Sequence, residues 1–186
     1  MKNRLLVVVD YQKDFVDGSL GFAGAEKLED GIIYEINVQM ENDDPVIFTM
    51  DTHHRDYLTT QEGKNLQIEH TIKGTKGWDF YNKLKDKVRE IKDKPNVIIL
   101  EKETFGAIGL VDAFNYMIKN GYMNKDVEIR FCGVVTNICV VSCAVVSKAI
   151  LPEAPIKIIK GLCGSNDKDM EQKAFDVMQN LQMEII

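Results

Sequence analysis

Short apolar runs alternate along the chain with longer stretches in which apolar residues recur at helical spacing. Leu5-Leu6-Val7-Val8-Val9 is unbroken, as is Val46-Ile47-Phe48-Thr49-Met50 apart from one threonine, and 97–100 is a third run. A less pure run lies within 127–135, a fifth spans 156–159, and 184–186 is a candidate sixth at the C-terminal end. Continuous apolar runs of this length mark strands covered on both faces. Between them, 25–40 carries Leu28, Ile32, Ile36 and Met40, and 78–91 carries Trp78, Tyr81, Leu84, Val88 and Ile91 on one face. The span 108–119 is apolar at Leu110, Val111, Phe114, Met117 and Ile118 and stops at Asn120-Gly121. Residues 137–150 are nearly all apolar or small, which predicts a buried helix, and 167–181 follows a Ser165-Asn166-Asp167 capping signal. Strand–helix alternation predicts an α/β fold with a parallel sheet covered by helices on both faces. No repeat or linker interrupts it, so 1–186 reads as a single domain. The segment 52–77 is the longest without periodicity, and long loops in compact domains are often functional.

Composition narrows the class. Of 186 residues 45% are apolar and 28% charged, which excludes a disordered or collagenous chain. No apolar run approaches the ~18 residues of a membrane span. Met1-Lys2-Asn3-Arg4 leads straight into a strand-like run and has no leader pattern, so the expected location is the cytoplasm and no membrane partner is expected. With 23 Lys and Arg against 29 Asp and Glu, the net charge of −6 argues against a nucleic-acid partner. The four cysteines, Cys132, Cys139, Cys143 and Cys163, form no C-x-x-C pair and are expected to be reduced, mostly as small buried hydrophobes.

Ligands of open parallel sheets bind outside the carboxyl ends of the strands. Asp10 follows the first run, Asp51 with His53 and His54 the second, Glu101 and Lys102 the third, and Gly133 to Cys139 the fourth. A charged residue at one strand end simply returns the chain to water; at four ends it suggests a site. Cys139 would lie in the first turn of a helix capped by Thr136 or Asn137, where free N–H groups lower a thiol's pKa. Cys143, one turn on, reads as core. Asp10, Lys102 and Cys139 could supply an acid/base, a cation and a nucleophile. Asp51, His53 and His70 could hold a metal with open positions, with Glu62 a possible extra ligand, although loop histidines are common without one. A P-loop, a G-x-G-x-x-G loop and a G-x-S-x-G elbow are all absent from the sequence.

These residues resemble the isochorismatase-like cysteine hydrolases, and within them the nicotinamidases (pyrazinamidases), over essentially the whole chain. The motifs are Asp10-Tyr11-Gln12-Lys13-Asp14-Phe15, then Asp51-Thr52-His53 with Glu69-His70 and Lys73-Gly74-Thr75-Lys76-Gly77. Lys102 with Phe105 and Ala107 follows, and then Cys132-Gly133-Val134-Val135-Thr136-Asn137-Ile138-Cys139-Val140. The resemblance implies a Rossmann-like three-layer α/β/α sandwich of about six parallel strands. It implies a triad of Asp10, Lys102 and Cys139, and a metal held by Asp51, His53 and His70, zinc first, with iron or manganese as alternatives. It further implies a cis peptide at Val134–Val135, with the N–H groups of Val135 and Cys139 facing an oxyanion, and a homo-oligomer (dimer or tetramer). The implied reaction is hydrolysis of nicotinamide to nicotinate and ammonia through a Cys139 thioester, the metal holding the pyridine nitrogen. Gln12, Phe15, Leu20 and Phe105 are the expected pocket walls.

The chain departs from the family where nicotinamidases often carry an aromatic residue, here Leu66-Gln67-Ile68. It has Thr71 where many members have a cysteine, Gly106 in place of serine, and Asn137-Ile138 in place of Asp-Tyr. These departures bear on the substrate. Another small amide or a carbamoyl compound is the alternative, and a non-catalytic binding protein on the same fold is the reading from another class. Isochorismatase chemistry itself uses neither this cysteine nor this metal set.

Overall fold

A computed structural model describes residues 4–186. Met1, Lys2 and Asn3, on which the reading of a leaderless start partly rests, lie outside the described residues. Among the described residues the strands are β1 (Arg4–Val9), β2 (Val46–Asp51), β3 (Val97–Lys102), β4 (Glu128–Val134), β5 (Ile156–Gly164) and β6 (Glu184–Ile185). They form one sheet in the order β3-β2-β1-β4-β5-β6. Every neighbouring pair is parallel.

The pattern of β1 shows why the sheet is buried on both sides. Leu5, Val7 and Val9 point into one core, with Leu110, Phe114 and Met117 of α5 (Leu110–Lys119), Cys143 and Ala144 of α6 (Val141–Ile150), and Phe175 and Met178 of α7 (Lys168–Asn180). Leu6 and Val8 point into the other, with Ile32 and Ile36 of α2 (Glu29–Glu41) and Leu84, Val88 and Ile91 of α4 (Asn82–Ile91). These are the layers of an α/β/α sandwich, with period-2 alternation in the strand meeting helical stripes on each side. The winding reverses between β1 and β4, so a crevice opens outside their carboxyl ends.

The elements depart from the sequence pattern in instructive places. The periodicity through 78–91 predicts one helix, but α4 begins only at Asn82 because the chain before it is already paired. Lys13 N donates to Asp79 O at 2.9 Å, Tyr81 N to Tyr11 O at 3.1 Å, and Asp14 N to Gly77 O at 3.0 Å. Trp78 instead donates its indole N–H to Thr52 Oγ1 at 2.9 Å. The 25–40 stretch divides into a 3₁₀ turn at Ala25–Leu28 and α2. A short helix, α1 (Lys13–Val16), has no periodic signal. Asp167 caps α7 as expected, accepting from Met170 N at 2.9 Å.

The aperiodic segment 52–77 is ordered by backbone pairing. His53 N donates to Thr71 O at 3.0 Å and Lys73 N to His53 O at 2.9 Å, which draws the two ends of the loop together. The excursion between them holds a 3₁₀ turn (Tyr57–Thr59) and α3 (Gln61–Asn65), whose N-cap Thr60 accepts from Gly63 N at 3.0 Å. All four cysteines are free and buried. Among the described residues no helix is long and apolar enough to cross a membrane.

Candidate active site and metal centre

Asp10, directly after β1, is fully buried and adopts φ 45°. Thr49, one position in from Met50 on the neighbouring strand, fixes it: Asp10 N donates to Thr49 O at 3.2 Å, and Thr49 Oγ1 donates to Asp10 Oδ1 at 2.6 Å. Asp51 and Lys102 end β2 and β3 and pair in register across the sheet. From β3 the Lys102 side chain reaches past the end of β2, so that its Nζ lies 2.7 Å from Asp10 Oδ2, 3.2 Å from Asp51 Oδ1 and 3.6 Å from Cys139 Sγ. The ammonium is thus the hub of the three acids. The Asp10 Oδ2 contact is an ion pair, and with no second partner Oδ2 keeps a lone pair free.

Cys139 follows the β4 end and a cis peptide at Val134–Val135. It sits in the wide π turn Thr136–Val140 that precedes α6. The expected cap is corrected here: Val135 occupies the N-cap position and no side chain caps the turn. Thr136 Oγ1 donates to Glu171 Oε1 at 3.0 Å, and Asn137 Oδ1 accepts from Ser165 Oγ at 2.6 Å, so both side chains are used to tie the turn to its surroundings. A π turn at such a position is a common mark of a functional site.

The electrostatics correct a second expectation. Burial, and then the charge of Asp10, push the Cys139 thiol well above its ordinary value despite Lys102 and the helix start. Burial raises the Asp10 carboxyl too, with Lys102 opposing and Asp51 adding to it. Burial alone would lower Lys102, but the charges of Asp10, Cys139 and Asp51 hold it well above the usual lysine range. Burial would likewise raise Asp51, but contact with His53 and the charge of Lys102 hold it below the carboxylate range.

On its other side Asp51 faces the histidines. Its Oδ2 lies 3.1 Å from His53 Nε2 and 3.5 Å from His70 Nε2, and the ligand atoms of the three residues lie within 4.8 Å of one another. His70 Nδ1 lies 2.8 Å from Ile68 O, which makes Nδ1 the N–H and leaves Nε2 as the donor atom. His53 Nε2 is buried with no hydrogen-bond partner. Burial would lower the His53 pKa, but Asp51 and Glu62 raise it to about 9. An orphaned imidazole nitrogen, a second bare Nε2 and a carboxylate oxygen converging in a buried site fit a divalent cation of the zinc, iron or manganese type. Glu62 Oε1 stands 3.5 Å from His53 Nε2 and 3.6 Å from His70 Nε2, at the edge of the group. His54 points away, 3.4 Å from Glu103.

A cavity of about 350 Å³ opens onto Cys139, Asp51 and His70, and Phe15, Leu20 and Phe105 are among the residues that line it. Val135 also faces it, whereas Val134 is packed in the core. Gln12 is not a wall. It is fully buried and grips the β2 end, Nε2 donating to Asp51 O at 2.9 Å and to Trp78 O at 2.7 Å while Oε1 accepts from Asp51 N at 2.8 Å. The amide therefore substitutes for a strand neighbour. Thr49 and Thr71 also belong to the site; Thr71 stands out in the sequence only as a departure from the family's cysteine, and Thr49 not at all, although it lies two residues before Asp51 and shares its face. Phe22 and Asn166 also line the cavity, as do Leu66 and Ile138, which lie in two of the stretches where the chain departs from the family pattern.

The family model described as the isochorismatase domain matches residues 4–186. An uncharacterized isochorismatase family protein, PncA, of Bacillus subtilis (strain 168) is 32% identical over 146 residues, 76% of this chain and 76% of that one. The crystal structure of nicotinamidase PncA from Bacillus subtilis matches with a TM-score of 0.84 at 26% identity, covering 100% of this chain and 99% of the other. Pyrazinamidase of Pyrococcus horikoshii, in complex with zinc, matches with a TM-score of 0.79 at 19% identity over 99% of this chain and 98% of its own, and shares the fold.

Proposed function

The chain belongs to the isochorismatase family, and from that premise we propose that it is a metal-dependent cysteine amidohydrolase, one domain over 1–186, that converts nicotinamide to nicotinate and ammonia. The observation that carries this reading is the buried ammonium of Lys102 joining Asp10 to Asp51 and Cys139, which line a cavity together with the metal-site residue His70. A scaffold on this fold has no use for that constellation.

Asp51, His53 and His70 would hold the divalent ion, which supplies an anchoring point for a ring nitrogen of the substrate. Everything else is done by the chain. Asp10 Oδ2, with its free lone pair, takes the Cys139 proton as sulfur attacks the carboxamide carbon. The C–S bond forms and the carbonyl π pair moves to oxygen, where the backbone N–H groups of Val135 and Cys139 receive it. Loss of one such donor typically costs about 10²–10³ in rate. The protonated Asp10 returns its proton to the amide nitrogen, the C–N bond breaks and ammonia leaves a thioester. Water then attacks, Asp10 takes its proton, the acid departs and the thiol is restored. Lys102 keeps one negative charge tolerable in a buried site throughout.

Ammonia release from nicotinamide by metal-replete protein, with Cys139→Ala as control, tests the proposal. Turnover that falls to background in the variant is the expected result. No turnover with a bound metal overturns the nicotinamide assignment. Leu66 supports one alternative: it gives the cavity an aliphatic wall beside His70, which suits another small amide or a carbamoyl compound, and a substrate panel in the same assay separates the two.

A further inference from the structure

Asp51 serves two sites with one carboxylate. Oδ1 faces Lys102 Nζ at 3.2 Å, while Oδ2 faces His53 and His70 at 3.1 and 3.5 Å. Strand geometry alone does not assign the oxygens, because an aspartate's χ2 well is broad and roughly two-fold. The assignment is made by Thr71. Its hydroxyl donates to Asp51 Oδ2 at 2.7 Å, and the residue is fully buried. Its own backbone is held on both sides, N donating to Asp14 Oδ2 at 2.8 Å and O accepting from His53 N at 3.0 Å, with φ at 45°. Its hydroxyl is therefore aimed by the loop that carries both histidines. A hydroxyl has one proton; given to Oδ2, it leaves that oxygen a further lone pair for a cation and turns Oδ1 toward Lys102.

We propose that Thr71 is the positioning residue of the metal site, orienting Asp51 so that one oxygen ligates and the other holds Lys102. The inference rests on the reading of Asp51, His53 and His70 as the metal site and is independent of which amide is hydrolysed. Partners that orient a ligand typically govern metal affinity by about 10–100-fold.

The test titrates metal-stripped full-length protein with Zn²⁺ against a chromophoric chelator, for wild type and for Thr71→Ser, Thr71→Ala and Thr71→Val, with thermal unfolding of each stripped protein alongside. Affinity is expected to follow the hydroxyl: Thr71→Ser stays within about threefold of wild type, and Thr71→Ala and Thr71→Val bind about 10–100-fold more weakly. Should Thr71→Val fail to fold, the Ser and Ala variants carry the comparison. Affinities that follow side-chain size, with Thr71→Val near wild type and Thr71→Ser weakened alongside Thr71→Ala, overturn the proposal, as do four affinities within threefold of one another. Stoichiometric Zn²⁺ binding ordered by the hydroxyl, together with an inability to hydrolyse nicotinamide, would reject the substrate assignment and leave this inference standing.

Discussion

Replacing Lys102 by methionine removes the one cation of the buried floor at nearly constant volume. At an effective dielectric of about 20, its attraction to Asp10 at 2.7 Å is about 6 kcal/mol and to Asp51 at 3.2 Å about 5 kcal/mol. Bringing an ammonium into the interior offsets much of this, at several kcal/mol per ion, and removing one partner of such a pair typically destabilises by about 3–5 kcal/mol. The pH dependence has a definite sign. In the variant Asp10 is still raised by burial and by the charge of Asp51, and with Lys102 gone the Thr49 hydrogen bond is what remains to oppose them. A carboxyl raised above its unfolded value makes the folded state bind the extra proton, so stability falls as pH rises, by up to about 1.4 kcal/mol per pH unit. Wild type shares part of that slope, and Lys102→Met steepens it. Urea unfolding of metal-stripped protein at about pH 7 and about pH 5 reads both quantities. The expected deficit is about 3–5 kcal/mol at the higher pH and smaller at the lower. A variant within about 0.5 kcal/mol of wild type at neutrality, or a deficit that grows on acidification, would show that Lys102 does not hold the buried carboxylates.

In stripped protein, iodoacetamide should label Cys139 before Cys132, Cys143 and Cys163, because of the four it is the one on the cavity wall. Its rate should climb steadily from about pH 6 to about pH 9 without a plateau, since burial holds the thiol up; a plateau near neutrality would mean a lowered thiol. Gly133→Ala should cost roughly 3 kcal/mol or more, because Gly133 has φ 116° and an added Cβ would lie 2.1 Å from Val9 O. A wild-type melting temperature for that variant would contradict the close approach of β4 to the residue before Asp10.

What the sequence disclosed of the site follows a physical division. Asp10, Asp51 and Lys102 were visible because an apolar run that is buried on both faces must end where the chain turns polar, and the parallel sheet puts those ends on one side. Cys139 was visible as the residue opening a helix after the fourth run. Long-range backbone pairing was not visible. Gln12 looks like any polar residue after a strand, yet its amide completes hydrogen bonds of Asp51 and Trp78, contacts 39 and 66 residues away in sequence. Trp78 fits the stripe of α4 and still lies outside it, since chain pairing with 11–14 outweighs helical periodicity there. Thr71 adjoins a histidine that the spacing singled out, but its hydroxyl contact depends on two loop ends being drawn together by His53.

The same division accounts for the thiol. A helix start argues for a low pKa, and it would prevail if the turn met solvent. Here one ammonium faces three acids in a buried site at the bottom of the cavity. Asp51 is held ionised and with Lys102 makes a neutral pair, so a further negative charge on Asp10 or Cys139 meets both burial and the charge of Asp51. The two groups are therefore a pair that can tolerate one negative charge between them, and their titration belongs to the pair. Passing the proton from Sγ to Oδ2 moves that charge without adding to it, so the cost of burying a new anion does not arise in the step. Activation by transfer within the pair, beside Lys102, gives a nucleophile when a carboxamide is in place and a protonated, less oxidisable thiol when the cavity is empty.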